Sequence, residues 1–151
     1  MNAPPILTEL KLSEEMKRAI DGAFDGRRPI VLAHVDDNSA PQLSYRGSTQ
    51  AYNDTALALW VRNPDGRVLG SIEKNPAVAL IYGNFEPDAR GFMIFRGRAR
   101  IDRSEDVRQH VYEHSHPFER DKDKERKGAA MIIELDSVEG FFGGAQLKMR
   151  R

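Results

Sequence analysis

The chain contains no cysteine, which excludes disulfides, thiol nucleophiles and thiolate-bound zinc. It has no excess charge of either sign: 23 lysines and arginines face 23 aspartates and glutamates, so no global field draws it to nucleic acid or to an anionic membrane. No apolar run approaches the ~18 residues of a membrane span. The first dozen residues, with Pro4 and Pro5, have neither the basic start nor the apolar stretch of a secretory signal. The sequence also lacks a Gly-x-Gly-x-x-Gly fingerprint, a P-loop and a nucleophile elbow, leaving Rossmann dinucleotide, nucleoside triphosphate and serine hydrolase chemistry without support. A cytoplasmic protein with no membrane or nucleic-acid partner is expected.

What is present fits a single domain over residues 1–151, a length that buries one useful core. Ser13 followed by Glu14 and Glu15 reads as a helix start, and Met16, Ile20 and Phe24 recur at helical spacing, so a helix is expected from Ser13 to Phe24. Short β-branched or alternating runs over 30–35, 41–49, 55–61, 77–82, 92–101, 131–135 and 140–149 read as strands. Residues 67–75 permit a short helix that Pro76 ends, and Ser104 opens another running to His114. The expectation is mainly β: a barrel of seven or so short strands with peripheral helices, because closure removes exposed edges.

Particular residues carry a resemblance. The segment Ile72-Glu73-Lys74-Asn75-Pro76-Ala77-Val78-Ala79-Leu80 and the alternating strand Met93–Ile101 resemble two consecutive elements of the pyridoxamine 5′-phosphate oxidase family. Upstream, Arg46-Gly47-Ser48-Thr49 and Leu59-Trp60-Val61-Arg62 fall where that family places the strands lining its flavin. The likeness covers roughly residues 29–139 in element order and points to the general-stress-protein-like branch.

The resemblance implies a mainly β, split, Greek-key β-barrel of about six to seven antiparallel strands with peripheral helices, and a homodimeric FMN-dependent oxidoreductase, with cofactor at the subunit interface and hydride transfer to or from a small organic substrate. It also implies a deazaflavin- or haem-binding barrel, or a non-catalytic cofactor-binding stress protein, as alternatives. Cofactor-binding candidates carried over by position are Arg46, Gly47, Ser48, Thr49, Val61, Arg62, Arg67 and Val68, with the phosphate and ribityl chain at Arg46, Ser48, Thr49 and Arg67 and the ring along Val61 and Arg62. A dianionic phosphate requires such donors, since arginine offers a planar fork and hydroxyls complete the shell. No catalytic acid or base is assigned and no metal is expected. The chain departs from the family at Ala51, which replaces a lysine, at Val68, which replaces another, and at Gly91, which replaces a glutamine. The tail 146–151 does not match the end that grips vitamin B6, so B6 is not the expected substrate.

Other features have plainer readings. His110 and His114 stand at i, i+4, a metal-ligand spacing, but a solvated helix end accounts for them. His34 reads as a hydrogen-bonded interior or interface residue, with a flavin-proximal imidazole as the alternative, and Trp60 as core or dimer-interface packing. The segment 119–127 alternates acid and base, nearly neutralises itself, and reads as a mobile loop near the cofactor mouth.

Overall fold

The computed structural model describes residues 3–151. Ser13 caps the first helix, α1 (Glu14–Asp21), with its hydroxyl accepting from the Met16 amide at 3.2 Å, and Met16 and Ile20 turn into the core. The helix ends at Asp21, three residues before the sequence-based end, is capped by Gly22, and leaves Phe24 in a turn. Three further helices are α2 (Arg67–Lys74), α3 (Glu105–Glu113) and α4 (Pro117–Asp121). The first two were expected; α4 was not, because five residues carry too little periodicity to stand out.

Nine strands follow in chain order: β1 (Ile6–Glu9), β2 (Val31–Val35), β3 (Pro41–Tyr45), β4 (Gln50–Asn53), β5 (Ala56–Val61), β6 (Ala77–Asn84), β7 (Gly91–Asp102), β8 (Ala129–Phe142) and β9 (Ala145–Arg150). They make one sheet in the order β1-β9-β8-β7-β6-β2-β3, with β5 also on β8 and β4 on β5. All pairs are antiparallel except β1 with β9, so the sheet is mixed rather than purely antiparallel. Of the strand expected at 41–49 only β3 forms, ending at Tyr45; residues 46–49 turn the chain into β4, which was not expected. The expected strands at 131–135 and 140–149 redistribute into β8, a single 14-residue strand, and β9 beyond the Gly143-Gly144 turn, whose positive φ angles glycine supplies.

The architecture turns on β8. One side pairs along its length with β7; the other pairs first with β5 (Glu134 to Ala129) and then with β9 (Ser137 to Phe142). The switch falls at Asp136, where a bulge interrupts the β7 register and splits the barrel into two halves. Gly97 lies opposite, so close to β8 that a Cβ would strike the Glu134 carbonyl oxygen.

Alternation then sorts the faces. Met93, Phe95 and Ala99 of β7 point into the core with Leu57, Leu59, Leu80, Met131 and Ile133, while Arg96, Arg98 and Arg100 face out and pair with Glu139, Asp136, Asp102 and Glu134. The outer face of β2, β3 and β6 is different. Its cross-strand neighbours Tyr45, Val31 and Ile81, and Leu43, Ala33 and Ala79, form an apolar surface on which Leu43 and Tyr45 are each about three-quarters exposed.

Candidate functional site

Arg46 follows β3 directly, and its position is fixed from both ends. Its amide donates to the Ile30 carbonyl at 2.8 Å, and its own carbonyl accepts from the Thr49 amide at 3.2 Å and the Thr49 hydroxyl at 2.8 Å. The side chain runs back along the inner face of the β2–β3 hairpin, where Nε donates to Ser44 Oγ at 3.0 Å. Burial lowers the Arg46 pKa, the neighbouring Arg62 cation lowers it further, and Glu119 opposes both. Guanidinium stays protonated regardless. Two cations therefore stand close together, one of them half-buried. Among the described residues neither Arg46 nor Arg62 forms a salt bridge.

Both arginines line a groove of about 630 Å³, well inside the size range of small-molecule sites. Val61, the last residue of β5, and Val68 of α2 contribute apolar wall. The connecting loop is shaped by Asn63, whose side-chain oxygen accepts from the Asp65 amide at 3.1 Å and whose carbonyl accepts from Gly66. Gly66 starts α2 without a side-chain cap, so the first amides of this eight-residue helix remain available at the groove.

The opposite wall comes from the segment between α4 and β8, part of the run expected to be a mobile loop near the cofactor mouth. Asp123 ties it down: its carboxylate accepts from Trp60 Nε1 at 2.9 Å, the Lys127 amide at 3.0 Å and the Gly128 amide at 2.9 Å. Burial raises the Asp123 pKa, but these bonds outweigh it and hold the carboxyl below its ordinary value. Trp60 itself is buried against Tyr112, consistent with a packing role.

A second cavity, of about 280 Å³, shares only Arg46 and Arg62 with the groove and is bounded by Phe24, Gly47, Glu119 and Lys122 among others. α4 carries Glu119 to this place. It is docked by stacking of Phe118 on Phe24, ring centroids 5.7 Å apart, and by His116 Nε2 3.2 Å from Asp25.

The carried-over residues thus divide. Arg46, Val61, Arg62 and Val68 meet at the groove, while Gly47 and Ser48 belong to the second cavity with the two arginines. The Ser48 hydroxyl is buried and engaged at both ends: it accepts from the Trp60 amide at 2.9 Å and donates to the Trp60 carbonyl at 3.1 Å. Thr49 is committed to Arg46 in the same way. Arg67 is not brought to the groove; it lines a separate cavity with Asp36, Asp37 and Asn38. Sequence reasoning missed Asp123, Lys127, Glu119 and Lys122, whose one signal was a charged run too balanced to look like a site.

The histidines resolve differently. His110 and His114 stack at 4.1 Å, His114 Nδ1 lies 2.8 Å from the His110 carbonyl, and no cluster of three metal-ligating side chains exists among the described residues. His34 is buried as expected, but its Nδ1 has no hydrogen-bond partner among the described residues. Burial, then Arg46, pushes its pKa down, with Asp36 opposing.

No family model and no curated protein matches the sequence. Solved structures do match the shape. HupZ of Group A Streptococcus shares 20% identity at a TM-score of 0.63, covering 89% of this chain and 97% of that one. A protein provisionally named a pyridoxamine 5′-phosphate oxidase, from Lactobacillus delbrueckii, shares 20% identity at a TM-score of 0.62, covering 87% and 96%. An FMN-binding protein from Syntrophomonas wolfei shares 6% identity at a TM-score of 0.62, covering 83% and 86%. The chain has the split-barrel fold of these proteins. The matches cover 83–89% of this chain, more than the stretch of roughly residues 29–139 over which the sequence resemblance was read. No helix among the described residues is long and apolar enough to cross a membrane.

Proposed function

We propose that this chain is a homodimeric flavin-binding oxidoreductase that holds the phosphate of FMN, or of a flavin containing the FMN unit, between Arg46 and Arg62. One observation carries the reading: two arginines that form no salt bridge among the described residues converge on a groove at the open N-terminus of α2. Bringing like charges together is costly unless an anion joins them, and a phosphate with charge-assisted bonds to both is such an anion. The FMN-binding neighbour supports the choice of ligand. When bound, a flavin supplies reversible hydride chemistry that no side chain of this protein provides. The protein's own part is to anchor the phosphate through Arg46 and Arg62, to wall the groove with Val61 and Val68, and to fix its far side through Asp123. The substrate is a small organic hydride donor or acceptor.

Dimerisation has separate support. The outer face of β2, β3 and β6 exposes Leu43, Tyr45 and Ile81 side by side, an apolar patch of the kind that calls for a partner, and a second copy is the partner proposed.

The absorption spectrum of purified protein, with mass spectrometry of the heat-released ligand, tests the proposal directly. A flavin band is expected; a deazaflavin or a haem Soret band, or a colourless protein that ignores added flavin, overturns it. Arg46→Ala should weaken binding about 10–150-fold, the equivalent of losing one charge-assisted hydrogen bond worth about 1.5–3 kcal/mol.

A further inference from the structure

Glu119 has no part in the reading above, yet it is the acidic side chain that acts on Arg46, across the smaller cavity that both residues line. α4 carries it there, with Phe118 stacked on Phe24 and His116 against Asp25. Gly47 lets the carboxylate come in: a Cβ at that position would strike both Glu119 Oε1 and the Phe24 ring. The result is a carboxylate only 15% exposed, packed onto the residue that follows Arg46.

The charge of this group is poorly answered. Its one salt bridge among the described residues is to Lys122 at 3.9 Å, and that ammonium also lies over the Phe118 ring, 4.2 Å from its centroid. A half-buried guanidinium and a nearly buried carboxylate on one small cavity feel each other strongly, because little water screens them. Arg46 does not need Glu119 to hold its place, since Ile30, Ser44 and Thr49 already fix it. Glu119 therefore contributes field and not framework. We propose that Glu119 is an internal counter-anion of the phosphate site: it offsets the charge of Arg46 in the free protein and repels an incoming phosphate, which limits affinity and keeps the flavin exchangeable. The inference rests on the flavin reading for its ligand.

Titration of wild-type protein and Glu119→Gln with FMN and with riboflavin, followed by flavin fluorescence, tests it. The variant should bind FMN at least about fivefold more tightly, through slower dissociation. Riboflavin has the same ring and no phosphate, and should bind the two proteins alike. Unchanged or weaker FMN binding in the variant would overturn the inference by making Glu119 a support of the site. Equal tightening of both flavins would also overturn it, because the effect would not run through the phosphate. Inorganic phosphate, read by the rise it causes in melting temperature, separates this inference from the flavin reading. A larger rise in Glu119→Gln than in wild type supports the counter-anion even where neither flavin binds, and an equal rise overturns it. Glu119→Ala removes the same charge and should act in the same direction; opposite effects of the two variants would overturn the electrostatic account.

Discussion

Replacing Ser48 with alanine distinguishes two jobs that position alone cannot separate. If the hydroxyl were a ligand donor, its loss would weaken flavin binding and spare the fold. In the structure it does neither of the things a surface hydroxyl does: it is 3% exposed and bonds the Trp60 amide at 2.9 Å and the Trp60 carbonyl at 3.1 Å. Both backbone groups lie on the edge of β5 turned towards β4, beyond the last β4–β5 pair, Gln50 with Ala58. No strand replaces the hydroxyl there. Ser48→Ala therefore strands one buried donor and one buried acceptor, at about 1–3 kcal/mol for each group left unsatisfied. Partial relaxation brings the expected loss to about 2–3 kcal/mol, or roughly 4–12 °C in melting temperature for a chain of this size. Urea denaturation of wild type and variant measures the loss, and a flavin titration on the same samples measures affinity. An unchanged unfolding midpoint together with weakened flavin binding would refute the structural role and return Ser48 to the ligand shell.

Other outcomes follow from the same geometry. Arg62→Ala should weaken flavin binding by roughly the same 10–150-fold as Arg46→Ala, whereas Arg67→Ala should leave it unchanged, both read by fluorescence titration. Gly97→Ala forces a side chain against the Glu134 carbonyl and is expected to cost about 3 kcal/mol or more, seen as loss of the cooperative melt or of soluble yield. Ile81→Glu places a charge in the apolar outer face and should convert a dimer into a monomer by sedimentation velocity, with a flavin-free dimer of unaltered mass counting against the interface. His34 and His110 both have folded-state pKa values below the ordinary 6.5. The unfolded chain therefore binds more protons below about pH 6.5, and stability present above that value falls as the pH drops through it. His34→Leu should flatten this slope between pH 7.5 and 5.5 in denaturant titrations; an identical slope would show that His34 does not contribute.

Much of the fold was legible because alternation in β7, with apolar residues inside and Arg96, Arg98 and Arg100 outside, can be read directly from the chain. The unbroken length of β8 was not. Asp136-Ser137 reads as a break between two strands, yet a bulge absorbs it and the pairing partners change while the strand continues. β1 was missed because all four of its residues are exposed, and its pairing with β9 depends on a contact 140 residues away that no local pattern encodes. Part of the site was visible in Arg46, Val61 and Arg62. The rest was hidden for an electrostatic reason: from Glu119 to Lys127 acids and bases alternate, so the run looks self-neutralising, and only folding reveals that Asp123 is spent on Trp60 while Glu119 turns towards Arg46. The tie of Asp123 to the backbone also explains why this stretch is a wall of the groove instead of a loose connection.

The single strand common to both halves of the split sheet has a consequence for how the molecule comes apart. Neither half can detach while β8 stays in place, because β7 flanks it throughout and β5 and β9 divide its other side between them. Amide protons near its middle should be the last to exchange with deuterium, released only when the entire chain opens.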